Sequence, residues 1–287
     1  MGLLDKVKSN IGKNIKTSND TIQEKTTWSI STVLVNWNRI HLLKKTVESY
    51  LATVSVPYEL IIVDCASSDG SKNYIEEVCK RDHRHKAIFL TEDCGGGTGI
   101  NLGLELAKAP FLHISENDTE YLPGWDRELL SKFDAFPKLG QICPFSANPE
   151  ADKGEIWVKH PAKPITKNGK TILLAEENVA TSCIIRRQIW EKGVRWRTLP
   201  SKGGNKFPAD GNFSIDIKKL GYWVAWNDKY TVINWGHNVK EMIEHLDYYV
   251  LDYKSKPWVE IEGWGQRLRE NGYNLVKEND KYRIVKL

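Results

Sequence analysis

Glu59-Leu60-Ile61-Ile62-Val63-Asp64-Cys65-Ala66-Ser67-Ser68-Asp69-Gly70-Ser71 is the run from which the architecture is read. Leu60 to Val63 is an unbroken aliphatic stretch, too short for a helix and followed at once by polar residues. A strand with apolar side chains on both faces belongs inside a parallel sheet. Asp64 ends the strand, Asp69-Gly70 reverses the chain, and Ser71 is placed to cap a helix over residues 73–80. The same unit repeats outward in both directions. Upstream, a strand over 30–35 precedes a helix over 42–51. Downstream, strands over 87–90 and 111–114 flank a helix over 100–107. Alternation at this pace predicts an α/β fold, a mostly parallel sheet flanked by helices. Ligands of such sheets bind beyond the carboxyl ends of the strands, so the residues that end each strand carry the argument.

Beyond residue 120 the rhythm changes to a mixed second half. A helix is expected over 125–133 and further ones over 187–193 and 211–220. Strands are expected around 141–144, 155–158, 171–174, 182–186, 222–226 and 230–235, with a Pro- and Lys-rich loop at 159–169. The chain therefore divides into an N-terminal extension (1–27), a nucleotide-binding half (28–120), an acceptor-binding half (121–240) and a C-terminal extension (241–287). The N-terminal extension repeats Leu3, Leu4, Val7, Ile11 and Ile15 near helical spacing among lysines. A short helix docked on the main body or a basic amphipathic helix on a membrane, through residues 1–16, both fit that pattern.

The 287 residues suffice for one large domain or two packed halves. Hydrophobic residues at 40% and charged residues at 27% are those of a globular chain. A net charge of +4 is too small for a dedicated nucleic-acid binder, so no nucleic-acid partner is expected. Five cysteines without a CxxC pair argue against a disulfide framework or a zinc site, and for a reducing compartment. No apolar leader or membrane-length run is visible. The expectation is a cytoplasmic protein, with peripheral contact at the membrane inner face as its variant.

Four strand ends carry chemistry. The first closes in Val35-Asn36-Trp37-Asn38. The second closes in Asp64, which by residue type alone stands equally for ligand contact or loop capping. The third leads into Asp93-Cys94-Gly95-Gly96-Gly97-Thr98-Gly99-Ile100-Asn101, where glycines admit a diphosphate to a helix N-terminus or allow a helix to pack closely on the sheet. After the fourth strand, Glu116-Asn117-Asp118 sets two carboxylates one residue apart. That spacing can hold a divalent cation between phosphates, or form a solvated turn.

Taken in order, the Asn-Trp-Asn strand end, Val63-Asp64-Cys65-Ala66-Ser67-Ser68-Asp69-Gly70-Ser71, the glycine-rich helix entry and Ser115-Glu116-Asn117-Asp118-Thr119-Glu120-Tyr121-Leu122-Pro123-Gly124-Trp125 resemble the family 2 glycosyltransferases of the GT-A fold. The resemblance continues through Ser182–Arg187, Pro208-Ala209-Asp210-Gly211-Asn212, Leu220-Gly221-Tyr222 and Trp235-Gly236-His237. It covers about residues 29–240. It implies that Asp64 reads the nucleotide base, that Glu116 and Asp118 correspond to the Asp-x-Asp element at ribose and metal, and that Asp210 is the general base of an inverting transfer. It also implies that His237 lies near the diphosphate or metal. The chain departs from the pattern at Glu116, one methylene longer than Asp, and at Ala209, where an acid often precedes the base. The nucleotide set is then Val35, Asn36, Asp64, Gly96, Asn101, Glu116 and Asn117, with Asp118 and His237 as metal ligands for Mn²⁺ or Mg²⁺.

The reaction implied is transfer of a sugar from a nucleoside-diphosphate sugar, UDP-sugar favoured, to a hydroxyl of a glycan or lipid-linked acceptor. Sugar rings stack on aromatic faces, so Trp190, Trp196 and Trp235 are the candidate acceptor contacts; core packing is the competing reading for each. Two other functions share these residues. One is a non-catalytic carbohydrate-binding protein on the same fold, motivated by Glu116, Ala209 and the eleven tryptophans. The other is an oxidoreductase with a nucleotide cofactor, motivated by Gly97-x-Gly99.

Overall fold

The computed structural model describes residues 28–93, 95–147, 162–175, 182–197, 209–236, 238–254 and 261–287. The extension at 1–27 and the strand expected at 155–158 lie outside them. The first half alternates as the sequence reading requires: β1 (Ile30–Asn36), α1 (Ile40–Thr53), β2 (Tyr58–Asp64), α2 (Ser71–Arg81), β3 (His85–Phe89), α3 (Gly96–Leu106) and β4 (Phe111–Glu116). β1 lies between β2 and β4 and is parallel to both. Its register pairs Asn36 with Asp64 and Val35 with Glu116. The carboxyl ends of three strands therefore meet at one edge.

The second half contains β5 (Thr119–Tyr121), α4 (Trp125–Ala135), β6 (Leu139–Ala147), β7 (Ala162–Lys167), β8 (Lys170–Ala175), β9 (Cys183–Arg186), α5 (Arg187–Glu191), α6 (Ala209–Lys219) and β10 (Trp223–Asn234). One sheet joins both halves in the order β3-β2-β1-β4-β9-β6-β10-β8-β7, with β5 on β10. β9 runs antiparallel between β4 and β6, and β10 returns parallel to β6. The result is an α/β fold with a large central, mostly parallel sheet. The C-terminal segment adds α7 (Val239–Glu244), α8 (Leu246–Lys254), a 3₁₀ turn (Ile261–Trp264), α9 (Gly265–Glu270) and the hairpin β11 (Tyr273–Glu278) and β12 (Lys281–Lys286). None of the C-terminal elements is signalled by a motif. Among the described residues no helix is long and apolar enough to cross a membrane.

Strand side chains alternate between two apolar layers, as period-two geometry demands. Ile30, Leu34, Leu60 and Ile62 face one layer with residues of α1, α2 and α4. Val33, Ile61, Val63, Leu112 and Ile114 face the other with α3 and α6. These strand residues are fully buried branched aliphatics, which is why the motif strand reads as continuous apolar sequence. Cys65, Cys143 and Cys183 are buried.

Several local expectations change. The helix α2 starts at Ser71, so Ser71 is not its cap. Gly70 takes that position at φ +92°, a conformation that favours glycine. Asp69 accepts hydrogen bonds from the Ser71 N–H and hydroxyl instead. The two short strands expected at 222–226 and 230–235 are one strand, β10, with register shifts between Trp226 and Tyr230 and between Tyr230 and Val232. The expected loop at 159–169 contains β7, which pairs with β8 through the turn at Asn168-Gly169, φ +51° and +70°. Two left-handed residues suit the twist of a hairpin. Within the glycine run, Gly99 and Gly103 serve close packing. A Cβ on Gly103 would stand 2.3 Å from Val33 Cγ1, and one on Gly99 3.1 Å from Val35 Cγ1. Gly96, at the start of α3, faces open space.

His113 is fully buried on β4, with Nδ1 against the Thr32 hydroxyl at 3.1 Å. Burial pushes its pKa down to about 3 from an ordinary 6.5. The unfolded chain then binds a proton that the folded chain refuses between those values. Stability contributed by the neutral ring is whole above about pH 6.5 and is lost as pH falls from 6.5 towards 3. Replacing the ring in His113→Gln should make unfolding free energy less steep with pH between about 4 and 6, by close to one proton or about 1.4 kcal/mol per unit. Denaturant titrations across that range check it; an unchanged slope would place the titration elsewhere.

Candidate functional site

The edge where β1, β2 and β4 end carries a continuous polar chain. Asp64, 2% exposed, accepts from the Asn36 side-chain amide at 2.8 Å on Oδ1. The same oxygen accepts from the Ser67 hydroxyl at 2.6 Å, and Oδ2 accepts from the Ser67 N–H at 3.0 Å. Asp64 thus caps its own turn, where Ala66 sits at φ +60°. The Asn36 amide oxygen accepts from Asn117 Nδ2 at 2.8 Å. The Asn117 oxygen accepts from Arg39 Nη2 at 2.7 Å, and the same nitrogen reaches Asp118 Oδ2 at 3.1 Å. Each link joins the end of one strand to the loop of another, so the parallel register is what assembles the chain.

Arg39 was not singled out by its residue type, and it is the central cation of this edge. It follows Asn38, and both take left-handed backbone, φ 53° and 55°. A non-glycine residue pays roughly 1–2 kcal/mol for that conformation, and here the Arg39 carbonyl accepts the N–H groups of Leu42 and Leu43 at the start of α1. Its guanidinium is buried between Asp118 and the Tyr248 ring, 4.7 Å from the ring centroid. Burial works to lower its pKa, but Asp118 and the nearby Tyr248, Tyr249 and Asp252 outweigh burial and hold the group well above its ordinary value. No sequence motif marks Arg39; only the pairing of loops reveals it.

Asp118 lies in the β4–β5 turn and is 5% exposed. Its carbonyl accepts the Trp235 N–H at 2.8 Å. Gly236 lies against its carboxylate so closely that a Cβ there would meet Oδ2 at 2.0 Å. Arg39 engages only Oδ2. Oδ1 is buried and has no hydrogen-bond partner among the described residues. An orphaned, charged oxygen in such a place is costly unless a cation or donor completes it. One free carboxylate oxygen is what a magnesium- or manganese-type ion takes when its remaining ligands are phosphates and water. Asp118 therefore fits the cation implied by the family resemblance. Glu116, at the end of β4, is half-buried, with Ser182 Oγ at 3.4 Å.

The other expected residues fall in three groups. Val35 is half-buried under α3, and Gly96 opens that helix with an unobstructed α-carbon. Asn101 does not point to the strand ends: its amide donates to the Trp196 carbonyl at 2.8 Å and its oxygen accepts the Trp196 N–H at 3.0 Å. Its side chain pins the segment after α5. Trp190 and Trp196 are 5% and 3% exposed, beneath Arg195 and against Phe213 respectively. For both, core packing replaces acceptor stacking. Trp235 is different. It is half-buried beside Asp118, its indole N–H donates to Glu120, and Lys45 lies 3.6 Å over its ring. Asp210 is in the first turn of α6, and its side chain lies outside the described residues, as does His237.

The sequence matches the profile of glycosyl transferase family 2 over residues 31–193. The chain belongs to glycosyl transferase family 2. The matched span holds the whole strand-end edge, and the family is one of glycosyltransferases; the oxidoreductase reading of Gly97-x-Gly99 falls with it, since those glycines follow β3 and Gly99 packs against Val35. TuaG of Bacillus subtilis (strain 168), a protein assigned as a teichuronic acid biosynthesis glycosyltransferase, is 28% identical over 123 residues. That match takes in 42% of this chain and 47% of TuaG, so the chain spans about half the length of its relative. Among solved structures, S. aureus TarS 1–349 superposes at a TM-score of 0.56, with 13% identity over 85% of this chain and 79% of that one. The mannosyltransferase PcManGT from Pyrobaculum calidifontis, in complex with GDP-Man and Mn²⁺, gives 0.55, with 13% identity over 90% of this chain and 73% of that one. At such identity these likenesses establish the fold.

Proposed function

We propose that this family member transfers a sugar from a nucleoside-diphosphate sugar, UDP-sugar in preference, to a hydroxyl of a glycan or lipid-linked acceptor, with inversion at the anomeric carbon. The observation that carries the reading is Asp118: a buried carboxylate at the strand ends of this fold, held by Arg39 on one oxygen and left open on the other. Structures of TarS with UDP-GlcNAc and with UDP, and the PcManGT complex, lend support for the donor class. TuaG lends support for an acceptor in cell-envelope glycan synthesis.

In this reading Asp64, Asn36 and Asn117 form the floor on which the nucleoside lies, and Glu116 faces the ribose. Asp118 and His237 would hold Mn²⁺ or Mg²⁺, which would supply positive charge to the leaving diphosphate. Arg39 fixes the Asp118 carboxylate in orientation. Asp210 takes the proton of the acceptor hydroxyl as that oxygen attacks the anomeric carbon and the bond to the diphosphate breaks. Trp235 offers its half-buried ring to the acceptor sugar. Residues 1–16, with alternating lysines and aliphatics, suit contact with the inner face of a membrane where a lipid-linked acceptor would reside.

A thermal-shift panel of nucleoside diphosphates and sugar nucleotides, with and without Mn²⁺, tests this. A ligand of the native state at a hundredfold excess over its dissociation constant adds about 2.7 kcal/mol of apparent stability. One nucleotide should raise the melting temperature clearly, and Mn²⁺ should enlarge the rise. No response to any nucleotide would return the protein to the carbohydrate-binding reading.

A further inference from the structure

A second cluster lies on the other side of Arg39, in residues that the sugar-transfer reading does not use. His41 stands in the first turn of α1. Glu241 and His245 lie four residues apart, on α7 and at its C-cap, and therefore share a face of that turn. Both Glu241 carboxylate oxygens are 3.0 Å from His41 Nε2, and Glu241 Oε2 is 3.9 Å from His245 Nε2. One donor atom from each residue lies within 4.8 Å of the other two. The two imidazoles stack, with centroids 3.9 Å apart at 15°.

We propose that His41, Glu241 and His245 form a binding site for a divalent transition-metal ion of the zinc type, separate from the site at Asp118. Nitrogen and oxygen ligands at about 2.0–2.1 Å from a tetrahedral ion are about 3.3 Å apart. The observed 3.0 and 3.9 Å separations bracket that value. Two imidazole nitrogens are borderline donors that favour zinc over magnesium or manganese, and one carboxylate completes a set zinc accepts. The carboxylate is buried at 9% side-chain exposure, while each imidazole keeps 37%, which gives an entry path and room for a water as fourth ligand.

The ion would have a definite mechanical effect. α7 and α8 belong to the small C-terminal core of Val239, Met242, Tyr249, Ile261 and Leu268. That segment meets the β1–α1 loop through Tyr248, against Trp37 and Arg39. A metal bridge from His41 to Glu241 and His245 would lock the C-terminal segment onto the loop that presents Arg39 to Asp118.

Zinc binding is measured directly on tag-free protein stripped with EDTA, by competition with a chromophoric chelator, and located by anomalous scattering from crystals grown with zinc. The expected result is one zinc per chain, with its anomalous peak among the three side chains. Loss of a group that merely hydrogen-bonds a metal ligand already weakens metal sites by about 10–100-fold, so His245→Gln and His41→Gln, both at partly exposed side chains, should each weaken zinc by about 100-fold or more. Asp118→Asn should leave zinc affinity unchanged. Failure of the wild type to bind zinc at micromolar concentration would overturn the proposal. So would retained binding in both histidine variants, or a peak at any other place. Because the readout is zinc and not turnover, it stands or falls apart from the sugar-transfer reading.

Discussion

Asp118→Asn should abolish metal-stimulated sugar transfer, with turnover reduced about a thousandfold, the effect of several kcal/mol of lost charge stabilisation. The variant keeps the shape of the side chain and an oxygen for Arg39 Nη2 at the position now 3.1 Å away. It removes the negative charge that both Arg39 and a cation need. Two readouts separate chemistry from folding. The first is the nucleotide thermal shift, whose Mn²⁺-dependent increment should vanish while the metal-independent part survives. The second is stability itself. Arg39 would remain a buried charge without its anionic partner, and removal of one member of a buried ion pair costs about 3–5 kcal/mol. The variant should therefore melt earlier yet still fold. Full turnover in Asp118→Asn would end the metal assignment; a lost thermal increment with normal turnover would show that the ion binds without acting.

Asp210→Asn should lower turnover by about 10²–10⁴-fold, the range of a positioned general base. Donor affinity should change little, since a general base acts on the acceptor hydroxyl and not on the nucleotide. The pH–rate profile is the sharper measure: its acid limb, set by ionisation of the base, should disappear in the variant. Retained turnover with an unchanged profile would move the base elsewhere and remove the argument for inversion. The two variants differ in what they preserve. Asp118→Asn loses the metal response, and Asp210→Asn keeps it.

The apolar runs were legible because a buried parallel strand has no polar face to interrupt it. Leu60–Val63 could be little else, and the parallel alternation through β4 follows from it. The glycine run was visible, but its role was not. Whether Gly99 and Gly103 cradle a phosphate or admit a close helix depends on what stands opposite, and opposite them stand Val35 and Val33. Trp190, Trp196 and Trp235 are identical letters with different fates for the same reason: two are walled in by the core and one stands beside Asp118. Asn101 looks like a ligand residue and instead holds the backbone of Trp196.

Periodicity, strand-ending acids and their order fixed the fold and its family, since these depend on neighbours within a few residues along the chain. Partnership did not follow from them. Arg39 meets Asp118 across 79 residues, and His41 meets Glu241 across 200. Such pairs form when parallel register and the docking of the C-terminal helices bring distant loops together. No local pattern encodes which charge will face which, and only the tertiary structure decides it.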